Sequence, residues 1–261
     1  MKDTRSIARY VAPWLPMVIV AVLGLAVWHL TVRMLGLQAV ILPAPIDVYH
    51  AAIEYRSELI TALFSTGAAA AAGLVSAITL GSLIAVAFSQ SRQIRIAFFP
   101  YVMFLQTVPI VAIAPLLIIW SGYEFRTVVI VTVIICLFPV VNNVTTGLTT
   151  IDRQWADLFR LYGTSRLKRL RLLQVPAAIP SLVLGAKTSS GLAVIGAIVA
   201  DFFVGNGSAD YKGLGTLMTG WIAFSKTAPM IAALFASTLL GLVLFGTVHL
   251  IARTQLRRWM N

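Results

Sequence analysis

Charge is what this chain has least of. Only 11% of its 261 residues are Asp, Glu, Lys or Arg, whereas soluble domains carry about 25%. That deficit excludes an ordinary water-soluble enzyme and a disordered chain. Cysteine is nearly absent too. Cys136 stands alone inside an apolar run, so no intrachain disulfide framework exists, and it reads as a packing residue. His29, His50 and His249 are scattered without a shared ligand spacing, and no metal or cofactor site is expected. A nucleotide-binding loop is missing as well. Gly185-Ala186-Lys187-Thr188 resembles a Walker A loop faintly, but that loop needs Gly and Lys adjacent and an earlier Gly five residues before. No low-complexity tail and no internal repeat is visible.

Apolar residues fill the space that charge leaves. They make up 59% of the chain, and mean hydropathy is +0.90. A transmembrane helix needs roughly 20 mostly apolar residues. Uncharged runs cover Val11–Val32, Leu59–Ser91, Ile96–Tyr123, Thr127–Ile151 and Thr227–Ala252, and Leu172–Ala200 is interrupted only by Lys187. The expectation is an all-α integral membrane protein of six transmembrane helices, forming one domain over residues 1–261. The first run is too long for a signal-peptide core and lacks a small-residue cleavage site, so it is read as a retained span.

Net charge is +11. In a soluble protein this would point to nucleic acid. Here the cations instead sort by side. Lys2, Arg5 and Arg9, then Arg92 and Arg95, then six between Arg153 and Arg171, then Arg253, Arg257 and Arg258 fall on the side of the termini, 14 in all. Arg33, Arg56, Arg126, Lys212 and Lys226 make 5 on the other side. By the positive-inside rule both termini are expected in the cytoplasm, with no need of a nucleic-acid partner.

On the outer side, Leu42-Pro43-Ala44-Pro45 breaks the chain, and Asp47–Leu59 reads as a short surface helix. Gly205–Gly215 reads as a flexible loop. Gly213–Ser225 is apolar but too short to cross, and reads as a half-inserted or surface segment. Small residues recur every fourth position at Ala69, Gly73, Ala77, Gly81 and Ala85, and again at Gly185, Ser189, Ala193 and Ala197 up to Asp201. Such stripes let helices approach closely in lipid. Lining of a narrow pathway is the alternative.

The informative stretch is the loop of about residues 152–176. Trp155, Leu158, Phe159 and Tyr162 share one helical face. Gly163 breaks that helix, and Thr164-Ser165 can cap a second one. Arg166–Leu173 then sets Leu167, Leu170 and Leu173 among cations, and Pro176 and Pro180 mark re-entry to the membrane. This helix–Gly–helix element can dock a cytosolic protein, lie on anionic lipid headgroups or merely connect two spans.

Asp157-Leu158-Phe159, three residues, Gly163, nine residues and Leu173-Gln174-Val175-Pro176 resemble the loop pattern E-A-A-x3-G-x9-I-x-L-P. That pattern marks the permease subunits of binding-protein-dependent ABC importers, and it falls between the fourth and fifth of six spans. Asp stands for Glu, and Leu-Phe for Ala-Ala. The Leu42–Pro45 break, Val108–Leu116 with Trp120–Tyr123, Gly213-Leu214-Gly215 and the Arg257-Arg258-Trp259 ending are similar to nitrate/sulfonate/taurine-type members. The resemblance implies a type I ABC importer permease fold in a bacterial inner membrane. It also implies cytosolic ABC ATPase subunits docked on the loop, a second permease subunit in a homodimer, and a periplasmic or lipid-anchored substrate-binding protein. ATP hydrolysis would belong to the partner, so the chain itself is expected to be no enzyme.

Candidate pathway residues are the polar groups inside spans. Gln106 and Thr107 precede Pro109, Asn142 and Asn143 follow Pro139, and Ser189 and Ser190 sit in the fifth span. Structural duty near the prolines is the competing reading. Lys187 and Asp201 carry charge within or beside a span. They are 14 residues apart, roughly 21 Å along a helix, and cannot pair directly. In the resembled family the second of these positions is Glu. The resemblance implies a small oxyanion, sulfonate or taurine-like solute, with a vitamin-type pyrimidine or flavin as the alternative. An ion-coupled secondary transporter would show paired repeats and intramembrane acids. An intramembrane hydrolase would need a Ser near a His base.

Overall fold

The computed structural model describes residues 15–205 and 211–255, and all assigned elements are helical. The basic residues 2–9, the 257–259 ending and the middle of the Gly-rich loop, residues 206–210, lie outside the described residues. Five helices are long and apolar enough to cross a membrane, and a sixth span forms if one bent pair is counted as one.

Helix α1 (Leu15–Met34) is apolar on every side and buries no residue. It is tied down at one point, where the Trp28 indole N–H donates to the Pro43 carbonyl at 3.1 Å and the ring stacks on Phe235. Helix α2 (Pro45–Glu54) begins with Pro at its first position, and the Asp47 carboxylate accepts the Ala44 amide at 3.0 Å. The expected surface helix over Asp47–Leu59 therefore starts earlier and stops at Tyr55. Helix α3 (Arg56–Gln90) takes over directly.

The third expected span is not one helix. Helix α4 (Arg92–Thr107) and helix α5 (Ile110–Ser121) meet at 101°. Pro109 has no amide to donate, and it pushes Val108 into extended backbone (φ −72°, ψ 125°). Pro100 and Pro115 lie inside the two arms and do not stop them. Sequence hydropathy registers apolar length but not this break.

Helix α6 (Phe125–Thr149) is the axis of the molecule. Its Val128, Val131, Cys136, Val140 and Val141 are fully buried, with α3 on one flank and α9 (Val175–Val204) on the other. Both small-residue stripes meet it. Ala69, Ala77, Ala85, Ala193 and Ala197 are wholly buried. A Cβ on Gly73 would overlap the Thr132 side chain, and one on Gly81 would lie 2.7 Å from Val140 Cγ1. On the other flank, a Cβ on Gly185 would stand 3.4 Å from the Pro139 carbonyl. Ser189 Oγ donates to the Cys136 carbonyl at 3.2 Å, and Cys136 Sγ returns a bond to Ser189 O at 3.4 Å. Dispersion and such bonds hold helices together in lipid, where water expels nothing.

Between α6 and α9 lie α7 (Arg153–Leu161), and α8 (Arg166–Arg169) with a π-helical turn at Leu170–Gln174. Pro176 and Pro180, expected to mark re-entry to the membrane, do not interrupt the helix, which runs unbroken from Arg166 to Val204. A proline ring collides with the carbonyl four residues back. The wider π turn, closed by the Val175 amide on the Leu170 carbonyl, makes room for Pro176. Helix α10 (Leu214–Ala223) covers the segment expected to be half-inserted or on the surface. It is packed through Leu214, Met218 and Trp221 against α2, α3 and α11 (Thr227–Gln255).

Gly81→Leu is expected to cost about 1–3 kcal/mol through overpacking against Val140. It should lower the detergent unfolding temperature and the yield of folded protein. Gly24 and Gly241 face open space, so leucine there should leave both unchanged. Equal behaviour of all three variants would refute the close approach of α3 and α6.

Candidate functional site

Two polar knots close the ends of the α3–α6–α9 trio. At the α10 end, the Asp201 carboxylate is completely buried and has no cationic partner among the described residues. Hydroxyls and a helix end hold it instead. Thr66 donates to Oδ2 at 2.7 Å and Tyr211 to Oδ1 at 2.7 Å. The Gly215 amide reaches Oδ2 at 3.4 Å, and the Leu214 amide reaches Thr66 Oγ1 at 2.8 Å. These amides open α10, so the acid also sits at the positive end of that helix. Gly213 and Gly215 admit it, because a Cβ on either would collide with Asp201. Burial first, then the charge of Asp201, push the Tyr211 hydroxyl well above its usual range, so it remains a donor. Thr66 and Tyr211 carry no local sequence signal, because they stand 135 and 10 residues from Asp201.

At the opposite end, Gln174 in the π turn is 4% exposed. Its carbonyl accepts Gln90 Nε2 at 3.0 Å, and its amide donates to the Leu148 carbonyl at 3.1 Å. One side chain thus joins the ends of α3 and α6 to the root of the hairpin. Sequence reasoning passes over it as a variable position in the loop pattern.

Beyond Gln174 the hairpin stands clear of the bundle. The Asp152 carboxylate caps α7 by accepting the Gln154 amide at 3.0 Å, and Ser165 caps α8 by accepting the Lys168 amide. Gly163 turns between them at φ +58°, a left-handed conformation that suits glycine. Thr164 donates to the Phe159 carbonyl at 2.7 Å and closes the turn. On α7 and its cap, Trp155, Leu158 and Tyr162 are exposed and Phe159 is half-buried, so the apolar face lies largely uncovered. Asp157 bonds Arg160 at 3.2 Å on the surface, while Leu173 and Pro176 lie where α8 joins α9.

The mid-span polar residues do not converge on one point. Gln106 and Thr107 are exposed at the α4–α5 bend, and Thr107 donates to Phe104 O. Asn143 faces α9 and donates to the Pro139 carbonyl at 2.8 Å. Ser189 bonds across to α6, and Ser190 donates to Lys187 O at 2.7 Å. Asn142 turns the other way, into a cavity of about 340 Å³ between α4 and α6. Lys187 is half-buried and makes no ion pair among the described residues. Among those residues, no three His, Cys, Asp or Glu side chains gather as metal ligands.

A family model described as binding-protein-dependent transport system inner membrane component matches residues 77–257. The chain belongs to this family of ABC importer permeases. The match spans the hairpin, Asp201 and all the helices from the middle of α3 onward. The permease is 31% identical over 225 residues to a formylaminopyrimidine transport permease of Halalkalibacterium halodurans, covering 86% of this chain and 88% of that one. It is 29% identical over 258 residues to a riboflavin transport system permease of Chloroflexus aurantiacus, covering 97% and 93%. It is 25% identical over 250 residues to a permease of Bacillus subtilis named for aliphatic sulfonates, covering 95% and 88%. As a member of this family the permease is a multi-pass transport subunit with the type I importer fold.

Removing the Asp201 carboxylate strands buried hydroxyl donors, each loss costing about 1–3 kcal/mol. Asp201→Ala should lower the unfolding temperature by several degrees. In a double-mutant cycle with Thr66→Val, the second substitution should cost much less once Asp201 is gone. Additive losses would show that the two side chains do not act together.

Proposed function

We propose that the permease forms the membrane pathway for a small solute handed over by a binding protein, and that it is driven by a cytosolic ATPase seated on the α7–α8 hairpin. The observation that carries this reading is the hairpin itself. It presents Trp155, Leu158 and Tyr162 to solvent on a capped helix, and exposed aromatic clusters of this kind serve as docking anchors. It is continuous with α9 and bonded through Gln174 to α3 and α6. A push on the hairpin therefore reaches three spans. The distribution of basic loops supports a hairpin and both termini in the cytoplasm, with α2 and α10 on the outer face. The whole chain acts as one transmembrane domain, paired with a second copy in a bacterial inner membrane.

The first substrate reading is a small oxyanion or sulfonate. It is supported by the Bacillus subtilis relative's name and by the basic, hydroxyl-lined cavity beside α6. Nitrate and taurine fall within the same reading. A vitamin-type pyrimidine or flavin is the second, supported by the names of the Halalkalibacterium and Chloroflexus relatives. Binding assays on the partner binding protein decide between them, because much of the selectivity of such importers rests there.

Substitution at Gly163 tests the docking assignment. Valine is strained at positive φ, whereas asparagine tolerates it. Gly163→Val should reduce ATPase copurification about tenfold, and Gly163→Asn should retain most of it. Sidedness is read with single cysteines at Ser165 and Lys212 in a Cys136→Ser background. An impermeant thiol reagent on intact cells should label only the Lys212→Cys protein. Labelling of only the Ser165→Cys protein would invert the topology and remove the ATPase from reach.

A further inference from the structure

The cavity between α4 and α6 has an asymmetric lining. On α6, Asn142, Thr145, Thr146 and Thr149 follow one another at helical spacing and form a polar stripe along an otherwise apolar span. On α4, Arg95 faces the same space beside Phe99 and Pro100. No Asp or Glu lines it. The void of about 340 Å³ is in the size range of small-ligand sites.

Two side chains in this lining have unspent donors, and a further hydroxyl is buried in its wall. Threonines inside a helix ordinarily donate to the carbonyl one turn back, and Thr132, Thr146 and Thr149 do so on α6 at 2.8–2.9 Å. Thr145 does not. Its residue is 5% exposed, and its hydroxyl has no partner among the described residues. A buried polar group left alone costs free energy, most of all within a membrane. The Asn142 amide and the Arg95 guanidinium also lack partners among the described residues. A half-buried cation and an amide N–H therefore line one small space, with the Thr145 hydroxyl closed off inside its α6 wall.

We propose that this cavity is an oxyanion site, taking a tetrahedral anion of the phosphate or sulfonate class. Arg95 supplies the charge and a planar fork of donors that matches two anion oxygens. Asn142 donates to a third oxygen from the α6 side. Phe99 and Pro100 shield the apolar substituent that a sulfonate or a phosphate ester carries. The site lies at the hairpin end of α6, where Thr149 is three residues before the Asp152 cap of α7. The anion can arrive free, as cargo under the oxyanion reading of the proposed function, or as the headgroup of an anionic lipid. The chemistry of recognition is the same.

The test uses the full-length permease in nanodiscs at matched ionic strength. In the first arm the lipid is phosphatidylcholine alone, and the unfolding temperature is titrated with sulfate, inorganic phosphate or methanesulfonate against chloride. In the second arm phosphatidylglycerol is added, and lipid retained by the protein is counted by native mass spectrometry. Saturable stabilisation in the first arm identifies a free anion, and selective retention in the second identifies a headgroup. In whichever arm responds, Arg95→Gln should weaken binding about tenfold, equivalent to about 1.4 kcal/mol, and Arg95→Lys should weaken it less. Asn142→Ala should weaken it about threefold, whereas Thr145→Val, which removes a hydroxyl closed off from the cavity, should leave it unchanged. Arg92→Gln, on the same helix but outside the lining, should leave it unchanged. Binding in neither arm, or binding that Arg92→Gln weakens as much as Arg95→Gln, overturns the proposal. Copurification of the ATPase is scored on the same samples, so failure of the anion site is separable from failure of the transport reading.

Discussion

Close approach of α3 and α9 to α6 is the constraint on which the rest of this permease depends. Hydrocarbon offers no partner to backbone amides and no hydrophobic force between helices, so contact must come from surface fit. Alanine and glycine on α3 and α9 let the β-branched side chains of α6 fill the grooves between them. Every element with a specific position is then referred to that trio. The broken α4–α5 span leans on α6 through Val102, Phe99 and Ile118, and α10 is held against α3 and α9 by the Thr66–Asp201 bond and its own amides.

The trio is locked at its ends by different chemistry. At the α10 end a carboxylate is held by hydroxyls and a helix terminus, with no cation beside it among the described residues. That arrangement avoids the desolvation of a second charge. At the hairpin end a neutral glutamine joins three helices. Helix α9 runs between the two knots, a distance of roughly 40 Å at about 1.5 Å per residue. One continuous helix thus joins the root of the hairpin to the element that closes the opposite end.

The outer layer obeys another rule. Helix α1 and much of α11 are apolar all round and present residues such as Val20 and Leu242 outward. On a water-soluble protein this much exposed apolar surface would be a liability. Against lipid it is the expected finish. The hairpin is the exception, since its exposed aromatics belong to a charged segment, among Arg160, Arg166, Lys168, Arg169 and Arg171.

Much of the architecture was legible along the chain, because hydropathy, cation placement and four-residue spacing are local properties. They identify the spans, the two stripes of small residues, the Gly163 turn and the family resemblance. Three expectations depended on more than local pattern. The third span bends because Pro109 and Val108 forbid helical pairing at one point, which composition does not register. The helix of the fifth span begins back at Arg166 because a π turn absorbs Pro176, and that relief exists only in three dimensions. The candidate pathway residues separate because a helix turns each about 100° from the next, so Asn142 and Asn143 face different neighbours. The sequence by itself determined that this chain is a helical membrane protein of the permease kind. The tertiary structure alone decided which polar groups are spent on one another and which line open space, since Thr66, Asp201 and Tyr211, or Arg95 and Asn142, become neighbours only when distant helices pack.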